Sequence, residues 1–427
     1  MSAAWTLEDA ERHLLSLELF GMRFGLDRMR RLTTALGSPQ ERFGSVHVVG
    51  TNGKSSTARM TAAILEAHGL RAGTYLSPHL TSFAERVRVG DRDAEPEQFA
   101  AAVQRAAHAA AKVDRGLRAP RGGAAWSEDD HVTQFELLTA AAYLLLAEAD
   151  VEVAVVEAGL GGRFDATNVL RSRVQVLTNV GLEHTRWLGP TIAHIAQEKL
   201  DVVRPGGTLV VGAGLHPDAA ALAEAVGAER GARLVVAPED AEVPLLAAGT
   251  FQRRNFAVAL TAAEAWLGEP AQPEAILHAA ASTVVPGRFE VVDDAPTTIL
   301  DGAHNPGGMT ALAEALAAAV HGRPVVAVVS ILDDKDAPAM LRELLPLCSA
   351  VVCTASANPR ALSPATLQSL TQQLGGPPAR IVADPLRALE EAREAAGPDG
   401  VALATGSIYL VADLRGGGAA GRQRSRL

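Results

Sequence analysis

Aromatic side chains are scarce: Trp, Tyr and Phe make up 4% of the 427 residues, while apolar residues reach 48%. A core poor in rings has to be assembled from Ala, Val and Leu, a mixture that suits helices packed on parallel strands. Cysteine is almost missing. Cys348 and Cys353 flank one apolar run, which excludes both a disulfide framework and a cysteine metal cluster. No apolar stretch approaches the roughly 18 residues of a membrane span. The first residues carry Glu8, Asp9 and Glu11 and lack the basic-then-apolar order of a signal peptide. Positive charge is short as well: the net charge of −10 argues against a nucleic-acid surface. The expectation is a cytoplasmic α/β protein with neither nucleic acid nor membrane as a partner. Lysine is the sharpest shortage, with Lys54, Lys112, Lys199 and Lys335 standing against 35 arginines. Where Arg serves for ordinary surface charge, a Lys that persists offers a point charge and a nucleophilic amine.

What is present is alternation. Apolar, strand-like runs at Val46–Val49, Arg71–Leu76, Val151–Val156, Val174–Val180 and Thr208–Val211 are separated by helical patterns. The helices are expected to about His68 and over Pro96–Lys112, Val132–Ala149 and Ile192–Val203. A polar loop is expected at Gly116–Asp130. Val285-Pro-Gly-Arg288 interrupts the pattern, which restarts as Thr298–Leu300, helix Met309–Val320, Val325–Val329, helix Ala337–Leu345 and Ala350–Cys353. Two α/β domains are expected, 1–289 and 290–415, with a frayed, arginine-bearing tail at 416–427.

The richest stretch is Val46–Ser56, an apolar strand entering the turn Gly50-Thr-Asn-Gly-Lys-Ser-Ser56 and then a helix. Such a turn points several N–H groups and the positive end of a helix at one place, where a polyphosphate fits. Lys54 would reach the terminal phosphates and a serine hydroxyl would hold Mg2+. The usual longer phosphate loop has a glycine where Val48 stands, so this is a shorter form. Ser77, Glu157 and His184 likewise follow or end predicted strands, at the edge where open parallel sheets bind ligands. Glu157 at a strand end could hold Mg2+ or stand solvated; His184 could ligate through a neutral nitrogen or serve the structure. Lys199 falls on the apolar face of its helix, with Ile195, Ala196 and Leu200. There it snorkels, pairs with a carboxylate, or is chemically changed. Asp301-Gly-Ala-His-Asn-Pro306 follows another strand; turn chemistry accounts for Asn305-Pro-Gly but not for Asp301 and His304.

The short Gly-Thr-Asn-Gly-Lys loop resembles that of the Mur ligase superfamily, which joins a carboxylate to an amine with ATP. Further carriers are Phe24–Met29, Ser77-Pro-His79, Thr133-Gln-Phe-Glu136, Glu157–Asn168, His184, Glu198-Lys199, Arg254-Asn-Phe256, Pro286-Gly-Arg288, Asp301–Pro306 and Thr405-Gly-Ser407. Across about residues 20 to 410 they resemble folylpolyglutamate synthase, an activity often combined with dihydrofolate synthase. Ser55 departs from the family, which has Gly there. The resemblance implies an N-terminal P-loop parallel-sheet ATPase domain and a smaller Rossmann-like α/β domain.

It also implies a site. Thr51, Asn52, Gly53, Lys54, Ser55 and Ser56, with Asn255, Arg288 and Asp301 from the domain seam, would bind ATP. Ser56, Ser77, Glu157, His184 and a carbamylated Lys199 would ligate Mg2+, and K+ is a further candidate cofactor. Thr133, Gln134, Phe135, Glu136, Gly162, Arg163 and Phe164 would line the pterin site. His304 and Ser407 would lie near L-glutamate, and Lys54, Lys199, Asp301 and His304 would serve catalysis. The implied reaction on a monomer makes an acyl phosphate from the folate carboxylate, which the glutamate amine then attacks. Arg23, where bifunctional relatives carry an acidic residue, tilts this towards polyglutamation. A muropeptide ligase and a P-loop phosphotransferase are the alternatives. The first lacks its UDP-sugar domain in this chain, and the second leaves Lys199 and Asp301 without a duty.

Overall fold

The computed structural model describes residues 3–17, 25–118 and 131–416. Arg23 and Phe24, residues 119–130 of the expected loop and residues 417–427 of the expected tail lie outside them. Residues 116–118 continue the helix Pro96–Arg118, and Gly416 ends the helix Ile408–Gly416.

The chain separates into two compact units: Met1–Ala241 with Asn255–Ala279, and Glu242–Arg254 with Ala280–Leu427. This differs from a single boundary near residue 290. The early segment joins the second unit because Phe251 packs on that unit's core and Leu246 N donates to Ala280 O at 2.9 Å.

The first unit is built on eight strands: β1 Gly44–Val49, β2 Ala72–Tyr75, β3 Val87–Val89, β4 Arg92–Asp93, β5 Val153–Glu157, β6 Val174–Leu177, β7 Thr208–Val211 and β8 Arg233–Val236. Their order is β4-β3-β2-β5-β1-β6-β7-β8, parallel from β2 to β8 and antiparallel at β3 and β4. The central strands β1, β5 and β6 are rich in Val, as suits strands covered on both faces; all of β2, β5 and β6 are buried. The helix Gln134–Glu148 is buried on nearly every side, packed by Leu7–Ser16, Asp27–Ala35 and Pro96–Arg118. Its Leu-Thr-Ala-Ala-Ala-Tyr-Leu-Leu-Leu run has no polar stripe, because no face of it meets water.

The second unit holds six strands: β9 Glu290–Asp294, β10 Thr297–Leu300, β11 Val325–Val329, β12 Ala350–Cys353, β13 Ala379–Ile381 and β14 Val401–Thr405. They run β13-β12-β11-β14-β10-β9, all parallel except β9. Val325, Ala327, Val329 and Leu403 meet Leu312, Leu316, Met340 and Leu341 of the covering helices in one core. Among the described residues no helix is long and apolar enough to cross a membrane.

Candidate active site

Strand β1 lies between β5 and β6. The chain leaves it for β2 on one side and returns to β6 on the other, so β1 marks the switch point of the sheet. Because β2, β5, β1 and β6 are parallel, the turns at their C-terminal ends gather at one edge. That edge receives Ser77, Glu157, the Gly50–Ser56 turn and Thr178-Asn179.

The Gly50–Ser56 turn depends on its glycines. Gly53 has φ 81, and a Cβ there would stand 2.4 Å from Asn255 Oδ1. Gly50 has φ 153, and a Cβ would stand 1.9 Å from Thr178 Oγ1. The loop is held from β6: Thr51 N donates to Asn179 O (3.0 Å), Asn52 N to Asn179 Oδ1 (2.9 Å), and Thr178 Oγ1 to Asn52 O (2.6 Å). The helix Lys54–Ala67 begins at Gly53 with no side chain capping it. Its leading N–H groups therefore face the edge as an anion site. Lys54 Nζ donates to Thr51 O at 3.2 Å, folded over the same loop. Sequence alone does not mark Thr178 and Asn179, because the expected strand Val174–Val180 absorbs them; β6 stops at Leu177.

Beside the loop stands Glu157, 2% exposed. Its Oε2 accepts from Ser55 Oγ (2.8 Å) and Ser77 N (3.0 Å). Of the two serines, Ser55 meets this carboxylate, whereas Ser56, the expected ligand, is buried in the first helical turn. The helix start turns the residue after Lys54 towards β5. Hard oxygen donors of this kind suit Mg2+, which takes one or two carboxylates and completes its shell with waters and phosphates. Among the described residues no group of three His, Cys, Asp or Glu could hold a metal unaided. His184 has φ 50, and its Nε2 stands 3.5 Å from Glu183 Oε1.

Lys199 is 4% exposed and donates from Nζ to Gly50 O at 2.7 Å. It thus ends on a carbonyl of the phosphate loop, neither snorkelling nor meeting a carboxylate at that contact. Burial, helped by the charge of Lys54, pushes its amine down to about 7. The turn after Glu157 seats this lysine's helix. A Cβ on Gly162 would stand 2.7 Å from Lys199 O and 2.8 Å from Glu198 O, so only glycine permits the approach. Arg163 Nη1 pairs with Glu198 Oε1 at 3.1 Å, and its guanidinium carbon lies 5.8 Å from the Phe164 ring centre. Asp165 organises the turn by accepting from Leu160 N (2.8 Å), Thr167 N (3.0 Å) and Thr167 Oγ1.

The expected pterin residues at 133–136 open the buried helix. Thr133 and Glu136 cap it reciprocally, Thr133 Oγ1 accepting from Glu136 N (3.3 Å) and Glu136 Oε2 from Thr133 N (2.9 Å). Glu136 also meets Arg28 Nε at 3.2 Å, both side chains being buried. Gln134 Nε2 donates to Leu14 O (2.8 Å), and the Phe135 ring lies against Gly159, where a Cβ would stand 2.6 Å from it. Phe135 is thereby joined to the turn that begins after Glu157.

In the second unit β10 and β14 are adjacent and parallel, bringing Asp301 and Ser407 to one edge. Asp301, 2% exposed, accepts from Phe289 N and Ala303 N, each at 2.7 Å. Burial raises its carboxyl pKa against the pull of Arg288. A Cβ on Gly302 would stand 2.3 Å from Arg288 Nη1, so the guanidinium lies directly on the turn. His304 Nδ1 bonds Gly302 O at 2.8 Å, Asn305 caps the helix Pro306–Val320, and Ser407 Oγ accepts from Tyr409 N at 3.1 Å.

An uncapped helix start with a lysine and a serine–carboxylate pair makes a site for a metal-bound polyphosphate, and a second parallel α/β unit without a phosphate loop follows it in the chain. Residues 287–408 match the family described as Mur ligase, glutamate ligase domain. The chain is 36% identical over 409 residues to a dihydrofolate synthase/folylpolyglutamate synthase of Mycobacterium tuberculosis, covering 87% of this chain and 81% of that protein. The structure of M. tuberculosis folylpolyglutamate synthase complexed with ADP superposes with a TM-score of 0.87 at 32% identity, over 96% and 97% of the two chains. That of a bifunctional folylpolyglutamate synthase/dihydrofolate synthase of Yersinia pestis, complexed with AMPPNP and Mn ion, gives 0.82 at 31% identity, over 96% and 98%. The chain belongs to the folylpolyglutamate synthase/dihydrofolate synthase family of the Mur ligases. ATP and a divalent metal are the cofactors this kinship supports.

Proposed function

We propose that the protein joins L-glutamate to the γ-carboxylate of a tetrahydrofolate at the cost of ATP. The observation that carries this is the Ser55–Glu157–Ser77 contact beside the uncapped start of the helix Lys54–Ala67. It sets hard oxygen donors next to a row of N–H groups, as a metal-bound triphosphate needs.

A carboxylate is a weak acylating group, so its oxygen first attacks the γ-phosphorus and ADP leaves. The amine of glutamate, deprotonated, then attacks the carbonyl of the acyl phosphate, and phosphate leaves. Lys54 exchanges the carbonyl of Thr51 for a phosphate oxygen and offsets the charge that spreads in transfer. Glu157, Ser77, His184 and a serine of the loop, Ser55 or Ser56, would hold Mg2+, which supplies further neutralisation of the phosphates when bound. Lys199, with its lowered pKa, has the free amine that adds to CO2: an N–C bond forms and a proton leaves, turning a cation into a carboxylate. Asp301, fixed by two N–H groups, and Arg288 on the adjacent turn are assigned to the nucleotide. His304 and Ser407 are assigned to the incoming glutamate.

The test is glutamate-dependent ADP release by the purified protein with MgATP, run in parallel with tetrahydrofolate and dihydropteroate. Release with tetrahydrofolate alone makes it a folylpolyglutamate synthase, and release with both makes it bifunctional. Release by Lys54→Ala should fall at least about 100-fold, as when a preorganised charge partner of a transition state is removed. Silence of the wild type with both acceptors refutes the proposal and returns the phosphotransferase reading.

A further inference from the structure

The segment Gly181–Gly189 is tied down at both ends and open in the middle. At its start Gly181 N donates to Thr51 Oγ1 at 3.0 Å, and Thr51 Oγ1 donates to Gly181 O at 3.3 Å, so it is bonded to the phosphate loop. At its end Leu188 is buried, its side chain 2.8 Å from where a Cβ on Gly161 would stand. His184 O accepts from both Trp187 N (2.8 Å) and Leu188 N (2.9 Å), closing a single helical turn. Between these anchors Leu182 is 58% and Trp187 41% exposed. Among the described residues Trp187 is the one aromatic ring among the exposed large apolar side chains. Arg186, also exposed, sets its guanidinium carbon 5.2 Å from the Trp187 ring centre.

A well-anchored turn has no folding reason to present an indole to water, and leaving it exposed forgoes burial. Trp and Arg are also the side chains that most often supply binding energy. The pair has a definite chemistry: a flat apolar face with a cation at its border. Its complement is an aromatic ring that carries a carboxylate close by. The reaction proposed above brings such a group to this edge, the aminobenzoyl ring with the glutamyl carboxylate next to it. The turn carrying the pair touches both the phosphate loop, through Thr51, and the Gly159–Gly162 turn against which Phe135 rests.

We propose that Arg186 and Trp187 form a recognition platform for the aromatic acid of the substrate. The ring lies on the indole beside Leu182, and the carboxylate meets the guanidinium. This rests on the folate reading above and adds specificity residues to it.

Steady-state kinetics on full-length Trp187→Ala, Trp187→Phe and Arg186→Ala test it, with tetrahydrofolate and MgATP each varied at saturating glutamate. Loss of the indole should raise KM for tetrahydrofolate about tenfold, the scale of a ring stacked on an aromatic side chain. KM for ATP should stay within about twofold, and Trp187→Phe should restore most of the loss, since a phenyl face still stacks. Arg186→Ala should raise KM for tetrahydrofolate and flatten its dependence on salt, because an exposed ion pair is screened. An active Trp187→Ala with unchanged KM for tetrahydrofolate overturns the platform alone. So does a rise confined to KM for ATP, which would put the adenine base on the indole. A wild type that turns over no folate overturns the underlying reading and this one with it.

Discussion

His47 sits on β1 three residues before Gly50, fully buried, and offers the cleanest quantitative test of the core beneath the site. Its Nε2 bonds Thr167 Oγ1 at 2.8 Å, while Nδ1 is buried without a hydrogen-bond partner. Thr167 Oγ1 in turn donates to Asp165, so Nε2 carries the proton and Nδ1 is the bare nitrogen. Protonating Nδ1 would bury a cation near Arg204; burial first and Arg204 second push the pKa down from 6.5 to about 3. A lowered folded-state pKa means that the unfolded chain binds the extra proton between those values, so stability falls as pH drops below 6.5. The share from His47 is close to zero at pH 7.5, about 1.4 kcal/mol at pH 5.5 and about 2.7 kcal/mol at pH 4.5. His47→Leu removes this titration. At pH 7.5 it loses one hydrogen bond and relieves one orphaned nitrogen, effects of about 1 kcal/mol each and opposite sign. Urea unfolding of wild type and variant at pH 7.5 and 5.5 measures the difference, in which the other eleven histidines cancel. The variant should gain about 1.4 kcal/mol relative to wild type over that interval. Equal pH slopes in the two proteins would refute the neutral, orphaned imidazole.

Two further outcomes come from close packing. Gly53→Ala puts a side chain at φ 81 and 2.4 Å from Asn255 Oδ1. It should cost about 1–2 kcal/mol of stability and raise KM for ATP more than KM for glutamate; thermal shift and initial rates check both, and an unchanged KM for ATP counts against Asn255 as a nucleotide contact. Arg28→Met leaves Glu136 buried without its cation and should destabilise by about 3–5 kcal/mol, while Arg28→Met with Glu136→Gln should recover part of that loss. A double variant no more stable than Arg28→Met would refute the coupling.

The sequence reveals the strands that matter for the site because they are buried on both faces. Val325–Val329 is an unbroken apolar run, Val46–Val49 is interrupted only by His47 and Thr208–Val211 opens on a single Thr; β7 and β11 have the expected bounds. Four of the six strands that escape, β4, β8, β9 and β13, lie at sheet edges. β9 is exposed over four of its five residues, β13 is three residues long and β4 two, so neither alternation nor an apolar run survives in them. β14, Val-Ala-Leu-Ala-Thr, carries the same apolar signal as β11, and edge exposure does not explain its absence from the expected pattern. Boundaries move where caps decide them: the helix expected from Val132 starts at Gln134 because Thr133 caps it.

The site itself divides along a physical line. Residue types that announce chemistry, Lys54, Glu157, Lys199 and Asp301, are legible because a charge next to a buried strand or on an apolar face has to be accounted for. Partners that only make hydrogen bonds are not. Asn179 holds two N–H groups of the phosphate loop, yet Thr-Asn after an apolar run also reads as a plain strand end. The opposite holds at the buried helix. Thr133, Gln134 and Glu136 are conspicuous polar residues opening an apolar run, and the contacts they make are a capping box, a carbonyl of the first helix and the buried Arg28. Those contacts commit the three polar side chains to the scaffold, so that under the folate proposal a substrate would be met by their neighbour Phe135. They also fix the Phe135 ring against Gly159. A substitution at Glu136 should therefore act through the position of Phe135, changing KM for the folate and stability together, whereas Phe135→Leu, which keeps much of the packing on the core, should change KM with a smaller loss of stability. Equal destabilisation by both would make the segment scaffold throughout.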